Sequence, residues 1–357
     1  MPDVYATRRN RVRKALWERG LDALLVSKPA NRFYLSGFEL HDPQCDESAG
    51  RLVICADGQD WLATDSRYEE AAARIWPRER IFIYGANQAR EICGLLTLLG
   101  HRAGLELDSV SAAFMAGLSG CPRHPAFFES AGLVEKFRLI KGPEEVAALE
   151  KSFALNHKAL AYLANELEEG LSEREVAWLI EKFFRENGAS ELAFSSIVAI
   201  GPNAALPHAA PGDERIGHDS LVLVDLGCRV ADYCSDQTRT FWMGDGKNDR
   251  FEQTRALVQA AQDAALAVIR PGIACAEVYR AARAVFEAAG QAEHFNHGLG
   301  HGVGLQTHEG PNLSPRSSQT LESGMVVTVE PGLYYPQWGG VRLEVTVLVE
   351  EDGCRIL

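Results

Sequence analysis

The chain has no run of about 20 apolar residues, so nothing in it reads as a membrane-crossing helix. Its opening, Met1-Pro2-Asp3-Val4-Tyr5, runs into Arg8-Arg9-Asn10-Arg11 without the apolar stretch of a secretory signal. Both absences point to the cytoplasm and away from membranes. Positive charge is also short. Lys+Arg number 36 against 49 Asp+Glu, a formal net charge of −13 that would repel nucleic acid and anionic lipid. The eight cysteines contain no C-x-x-C pair and sit mostly among apolar residues, so they read as reduced, mostly buried thiols.

What remains is an ordinary globular composition. At 357 residues, 46% hydrophobic and 24% charged, the chain is long enough for about two domains, each with its own core. Helical patterns at 8–19, 66–75, 88–99 and 110–118 alternate with strand patterns at 23–27, 52–56, 80–84 and 103–107, which predicts an N-terminal α/β domain. The break at Gly120-Cys121-Pro122-Arg123-His124-Pro125 places the boundary near residue 130, giving domains 1–130 and 131–357.

The second domain has a different order, in which helix pairs precede hairpins, twice. Pro143 opens one helix, and the capping box Ser172-x-x-Glu175 opens its partner. The second pass has helices around 250–269 and 276–289, then strands at 326–330 and 341–349. An α+β domain built from two related halves is expected.

Each half ends an apolar strand on an acid. Leu221-Val222-Leu223-Val224-Asp225 is followed by a turn and by Asp236, and a hairpin centred between 230 and 231 would set the two acids opposite each other. Glu330 and Glu344 stand in the same relation about Gln337-Trp338-Gly339-Gly340. Like charges at such close range destabilise a sheet, so a compensating charge is required. His301 lies in the glycine-rich string Asn296-His297-Gly298-Leu299-Gly300-His301-Gly302, with His308 seven residues on. Four carboxylates match the charge of two divalent cations, and oxygen-rich ligation with one imidazole suits Mn²⁺, Co²⁺, Zn²⁺ or Fe²⁺. Two such ions lower the pKa of a shared water and polarise a carbonyl, which is the equipment of a hydrolase.

The strings VDLG with Asp225, HGLGHGVGLQTHE around His301, VEPGLY at Glu330 and GGVRLE at Glu344 resemble the M24 metallopeptidases, over nearly the whole chain. Within that family the likeness is to Xaa-Pro aminopeptidases and Xaa-Pro dipeptidases. It implies a creatinase/aminopeptidase ("pita-bread") catalytic domain with pseudo-twofold halves behind a creatinase-like N-terminal domain. It assigns Asp225 to one metal, His301 and Glu330 to the other, and Asp236 and Glu344 as bridges. It makes His208 and His308 donors to the substrate carbonyl, Glu330 a proton shuttle, and His297 and Arg342 pocket residues. The implied reaction is attack of a metal-bridging hydroxide on the Xaa-Pro bond of short peptides with proline second, by an aminopeptidase working as a homodimer with Mn²⁺. The alternative is a dipeptidase. A creatinase-like amidinohydrolase or a binding protein stands further off, because all five ligand positions are filled.

Outside that likeness, the bland readings hold. The segment His41-Asp42-Pro43-Gln44-Cys45-Asp46-Glu47 reads as a polar loop, and Phe38, Phe194, Tyr334 and Trp338 read either as walls of a proline pocket or as core. Val345 departs from the family pattern, in which an acid commonly follows the last ligand.

Overall fold

Short apolar strands need partners to bury their backbone groups, and in the N-terminal unit six of them form one mixed sheet. The structure is a computed structural model that describes residues 3–44 and 47–357. The strands are β1 (Ala23–Val26), β2 (Arg51–Cys55), β3 (Trp61–Thr64), β4 (Ile81–Ile83), β5 (Arg102–Leu105) and β6 (Ala126–Glu129), in the order β4-β3-β2-β1-β5-β6. The antiparallel pairs β1–β2 and β2–β3 adjoin parallel pairs on either side. Helices Gln88–Leu99 and Ala112–Ser119 contribute Ile92, Leu96, Phe114 and Leu118 to the core beneath them. Helix Pro29–Ser36 and strands β3 and β6 were not anticipated, being too short to show a period.

The contacts divide the chain into Met1–Arg138 and Leu139–Leu357. The break near residue 130 expected from the sequence falls just after β6. The short helix Glu135–Arg138 stays with the first unit, where Arg138 Nη1 donates to the buried Asn31 Oδ1 at 2.8 Å.

The second unit shows the helix-pair-then-hairpin order twice. Helices Pro143–Glu166 and Glu173–Glu186 precede the antiparallel pair Ser220–Leu226 and Gln237–Met243. Helices Asp249–Leu266 and Cys275–Ala288 precede Val326–Val329 and Val345–Glu350. Strand Ser220–Leu226 runs apolar from Leu221 to Val224 because both its faces are covered, and Asp225 breaks that run at its end. Leu221 and Leu223 join the core of the second helix pair, whereas Val222, Val224 and Leu226 join the core of the first. The capping box is present, with Ser172 Oγ accepting from the Glu175 amide and the Glu175 carboxylate accepting from the Ser172 amide.

Among the described residues no helix is long and apolar enough to cross a membrane. The seven described cysteines are free thiols, five of them buried; Cys45 and Asp46 of the polar-loop segment lie outside the described residues.

Candidate metal centre

Alternation along strands decides which side chains meet, because successive residues point to opposite faces. On Val326–Val329, Val327 and Val329 enter the apolar core, which leaves Thr328 and Glu330 on the other face. On Val345–Glu350, Val347 and Val349 do the same and Val345 packs against them, so Glu344 and Thr346 share the polar face. Val345 therefore points away from the acids, and its departure from the family pattern takes nothing from their face. On the strand after Asp236, Thr238 and Thr240 continue the buried polar row.

The registers differ between the two hairpins. In the second, Val329 pairs with Val345 and Gly332 with Arg342, which sets Glu330 opposite Glu344 as the turn position predicts. Regular pairing opens there, and the Glu344 amide donates instead to Thr238 O at 3.2 Å. In the first, Asp225 pairs with Thr238 and not with Asp236. Ala231 and Asp232 take positive φ, at 48° and 71°, so the turn lies one residue later than expected and the register moves by two. A two-residue shift preserves the face, and Asp236 sits diagonal to Asp225 on the same side.

The acids and the histidines come together. Ligand atoms of Asp225, Asp236 and Glu344 lie within 4.8 Å of one another, as do those of Asp236, His301 and His308. His301 Nε2 is 3.4 Å from Glu330 Oε1 and 3.6 Å from Asp236 Oδ2. Its Nδ1 is 3.1 Å from Gly302 O, an acceptor only, so Nδ1 carries the proton and Nε2 turns a lone pair to the acids.

Burial makes this cluster costly. Asp225, Asp236 and Glu344 are 8%, 4% and 1% exposed. Burial, together with Glu344 and Asp225, pushes the Asp236 carboxyl well above its ordinary value, and burial with Glu330 and Asp225 does the same to Glu344. Burial pushes Glu330 up to about 7, and it pulls His301 down to about 4 with help from the neighbouring His308.

Arg342 faces the acids directly. Arg342 Nη2 donates to Asp225 Oδ2 at 2.8 Å, its Nε donates to Thr238 Oγ1, and its Nη1 donates to Tyr334 Oη and Pro207 O. Tyr334 Oη lies 3.0 Å from His297 Nε2, while His297 Nδ1 lies 2.6 Å from Gly298 O. The carbonyl fixes the proton on Nδ1, so the tyrosine donates to Nε2. Burial beside Arg342 holds His297 down at about 4, which keeps the ring neutral.

His208 and His308 are exposed and line the same cavity of about 680 Å³ as Asp225, Asp236, His297, His301, Glu330 and Arg342. The His308 ring meets His301 edge-on at 4.2 Å between centroids. Of the four aromatic candidates, only Phe194 lines the cavity. Phe38 is buried in the N-terminal unit, Tyr334 belongs to the arginine chain, and Trp338 packs on Tyr335 and Arg250.

Two supports escaped the sequence reading. Thr238 accepts from Arg342 and donates to Glu344 Oε2 at 2.8 Å. Gln262 donates from one buried amide to Val329 O at 2.9 Å and Leu343 O at 3.0 Å, the carbonyls just before Glu330 and Glu344. Its signal is a polar residue on the helix face that also buries Val258 and Ala265.

The donor set fits divalent cations. Asp225 Oδ1 and Glu344 Oε1 are buried without a hydrogen-bond partner, and their neighbours Asp236 and Glu330 are held toward protonation, which is the condition a cation between them relieves.

The chain resembles known proteins along its length. The model of metallopeptidase family M24 matches residues 147–351, and that of the creatinase/prolidase N-terminal domain matches residues 8–140. The chain belongs to metallopeptidase family M24. It is a hydrolase with the pita-bread fold, of a family that works with two divalent metals. The Xaa-Pro dipeptidase of Pyrococcus horikoshii is 32% identical over 99% of this chain and 97% of its own length. The solved Xaa-Pro dipeptidase from Bacillus anthracis superposes with a TM-score of 0.90 at 32% identity, over 99% and 97% of the two chains. The X-Pro aminopeptidase from Thermotoga maritima gives 0.84 at 29%, over 95% and 96%.

Two outcomes follow for this M24 chain. Gln262→Leu removes both carbonyl contacts and weakens divalent-ion binding about 10- to 100-fold, read by titration calorimetry; unchanged affinity would contradict the supporting role. Asp236, Glu344 and Glu330 have folded-state pKa values above their ordinary ones, so without metal their contribution to stability is present at low pH and lost as pH rises, through about 7 for Glu330. Thermal unfolding of chelator-treated protein should fall between about pH 5 and about pH 8, and that of Mn²⁺-loaded protein much less. Parallel curves would contradict this.

Proposed function

We propose that the chain is a metal-dependent Xaa-Pro dipeptidase. This replaces the aminopeptidase expected first from the sequence, and the observation that carries it is the likeness to the Pyrococcus horikoshii dipeptidase over nearly the full length of both chains. A cavity of about 680 Å³ has the size of a site for a small molecule.

Asp225, Asp236, His301, Glu330 and Glu344 would hold the ions. When bound, two divalent ions polarise the scissile carbonyl and make water a nucleophile at neutral pH. The oxygen-rich donor set favours Mn²⁺, with Co²⁺, Zn²⁺ and Fe²⁺ as the other candidates.

The chain's own groups do the rest. His208 and His308, exposed on the cavity wall, donate to the carbonyl oxygen as it gains negative charge. Glu330 carries a proton at a carboxylate oxygen from the attacking water to the imino nitrogen of the leaving proline. Arg342 has four of its five N–H donors committed to Asp225, Tyr334, Thr238 and Pro207. We therefore assign it to holding Asp225 rather than to gripping the substrate's carboxylate. His297, neutral and fixed between Tyr334 and Gly298, is a wall of the pocket. The reading carries with it a cytoplasmic location, a homodimer and short peptides with proline second as substrates.

With Mn²⁺ present, Ala-Pro should be cleaved at least about ten times more efficiently than Ala-Pro-Ala, a gap of about 1.4 kcal/mol in transition-state binding. Mass spectrometry of released alanine measures both, and a chelator should abolish both. Equal or faster cleavage of the tripeptide would mean an aminopeptidase, and turnover that survives chelation would overturn the mechanism.

A further inference from the structure

The loop that carries His208 is tied at both ends to one buried carboxylate. Glu173 is the first residue of helix Glu173–Glu186, after the N-cap Ser172, where the helix dipole favours negative charge. It is 1% exposed. Oε1 accepts from the Ile200 amide at 2.8 Å and from Asn203 Nδ2 at 2.9 Å, and Oε2 accepts from the Gly212 amide at 2.7 Å. These anchors bracket His208 in the sequence.

The rest of the segment is secured from its backbone. Gly212 O accepts from the Arg174 amide at 3.2 Å, Glu214 O accepts from the Glu173 amide at 3.0 Å, and Pro207 O accepts from Arg342 Nη1 at 3.3 Å. Among the described residues no hydrogen bond holds the His208 imidazole itself, so its place on the cavity wall depends on the backbone that presents it. A charged acceptor taking three donors is among the strongest anchors available, and its removal strands buried N–H groups.

We propose that Glu173 is a positioning residue for His208, fixing the 200–212 loop so that the imidazole faces the substrate carbonyl. The inference rests on the reading above, in which His208 touches the substrate. Glu173→Gln keeps the size of the side chain but replaces one acceptor oxygen by an NH₂ group. In either amide orientation at least one of the three donors then meets a donor.

The test uses the full, Mn²⁺-loaded chain in four forms: wild type, Glu173→Gln, His208→Ala and the double variant. Glu173→Gln should lower kcat for Ala-Pro about 10- to 100-fold with a smaller change in KM and unchanged metal content. It should also raise amide hydrogen exchange within 200–212. In the His208→Ala background it should cost little more, because both changes remove the same interaction. Equal factors in both backgrounds, or unaltered exchange in 200–212, would overturn the proposal. Should Glu173→Gln fold poorly, Glu173→Asp keeps the charge without the reach and must give the same exchange signature. Failure of the wild type to cleave Ala-Pro would instead sink the functional reading, leaving the exchange measurement to decide the role of Glu173.

Discussion

Four carboxylates packed against one another, three of them buried and Glu330 half-buried, are the constraint on which this catalytic unit depends. Each loses hydration on burial and each repels the others, so the chain alone cannot keep all four ionised. Arg342 answers part of the charge through its 2.8 Å contact with Asp225. Glu344 and Asp236 remain pushed toward protonation, and the buried Asp225 Oδ1 and Glu344 Oε1 have no donor. Two divalent ions added to the four acids and the arginine would leave one net positive charge, which suits a carbonyl oxygen turning anionic.

The architecture explains how a chain places so unfavourable a cluster. Strands Val326–Val329 and Val345–Glu350 keep Val327, Val329, Val347 and Val349 in the core, and their alternate positions carry Thr328 and Thr346 in line with Glu330 and Glu344; Asp225 instead ends a strand that is apolar on both faces. Thr238, Thr328 and Gln262 fix individual carboxylates or the backbone beneath them. Asn156, on the first long helix, donates to Leu226 O beside Asp225 as Gln262 does beside Glu330, so each helix pair braces its own hairpin. Rigid elements carry the acids and Glu173 ties down the loop of His208, which leaves the cavity open with its walls preset.

Much of this was legible in the residues. Long helices with caps, apolar strands ending in acids and glycines around His301 are local signals, and they located the halves and the five expected ligands. The second hairpin was read in register because its turn falls midway between Glu330 and Glu344. The first was read two residues out, because an alanine with positive φ gives no signal in the sequence. The acids stayed on one face only because the error was even. Arg342 could be placed near the acids but not oriented, since its partners Pro207 and Tyr334 are distant or ambiguous in the chain. Gln262 and Glu173 were missed because hydrogen bonds to backbone carbonyls and amides far along the sequence leave no spacing to read.

The central claim is that the buried acids and His301 form a site for two ions. Equilibrium dialysis of the metal-free chain against Mn²⁺, with elemental analysis of the protein, tests it most directly. The account requires binding that saturates at two ions per chain and falls to one or none in Asp236→Asn. Saturation at one ion or none in the wild type, or a second ion that survives in Asp236→Asn, would contradict it.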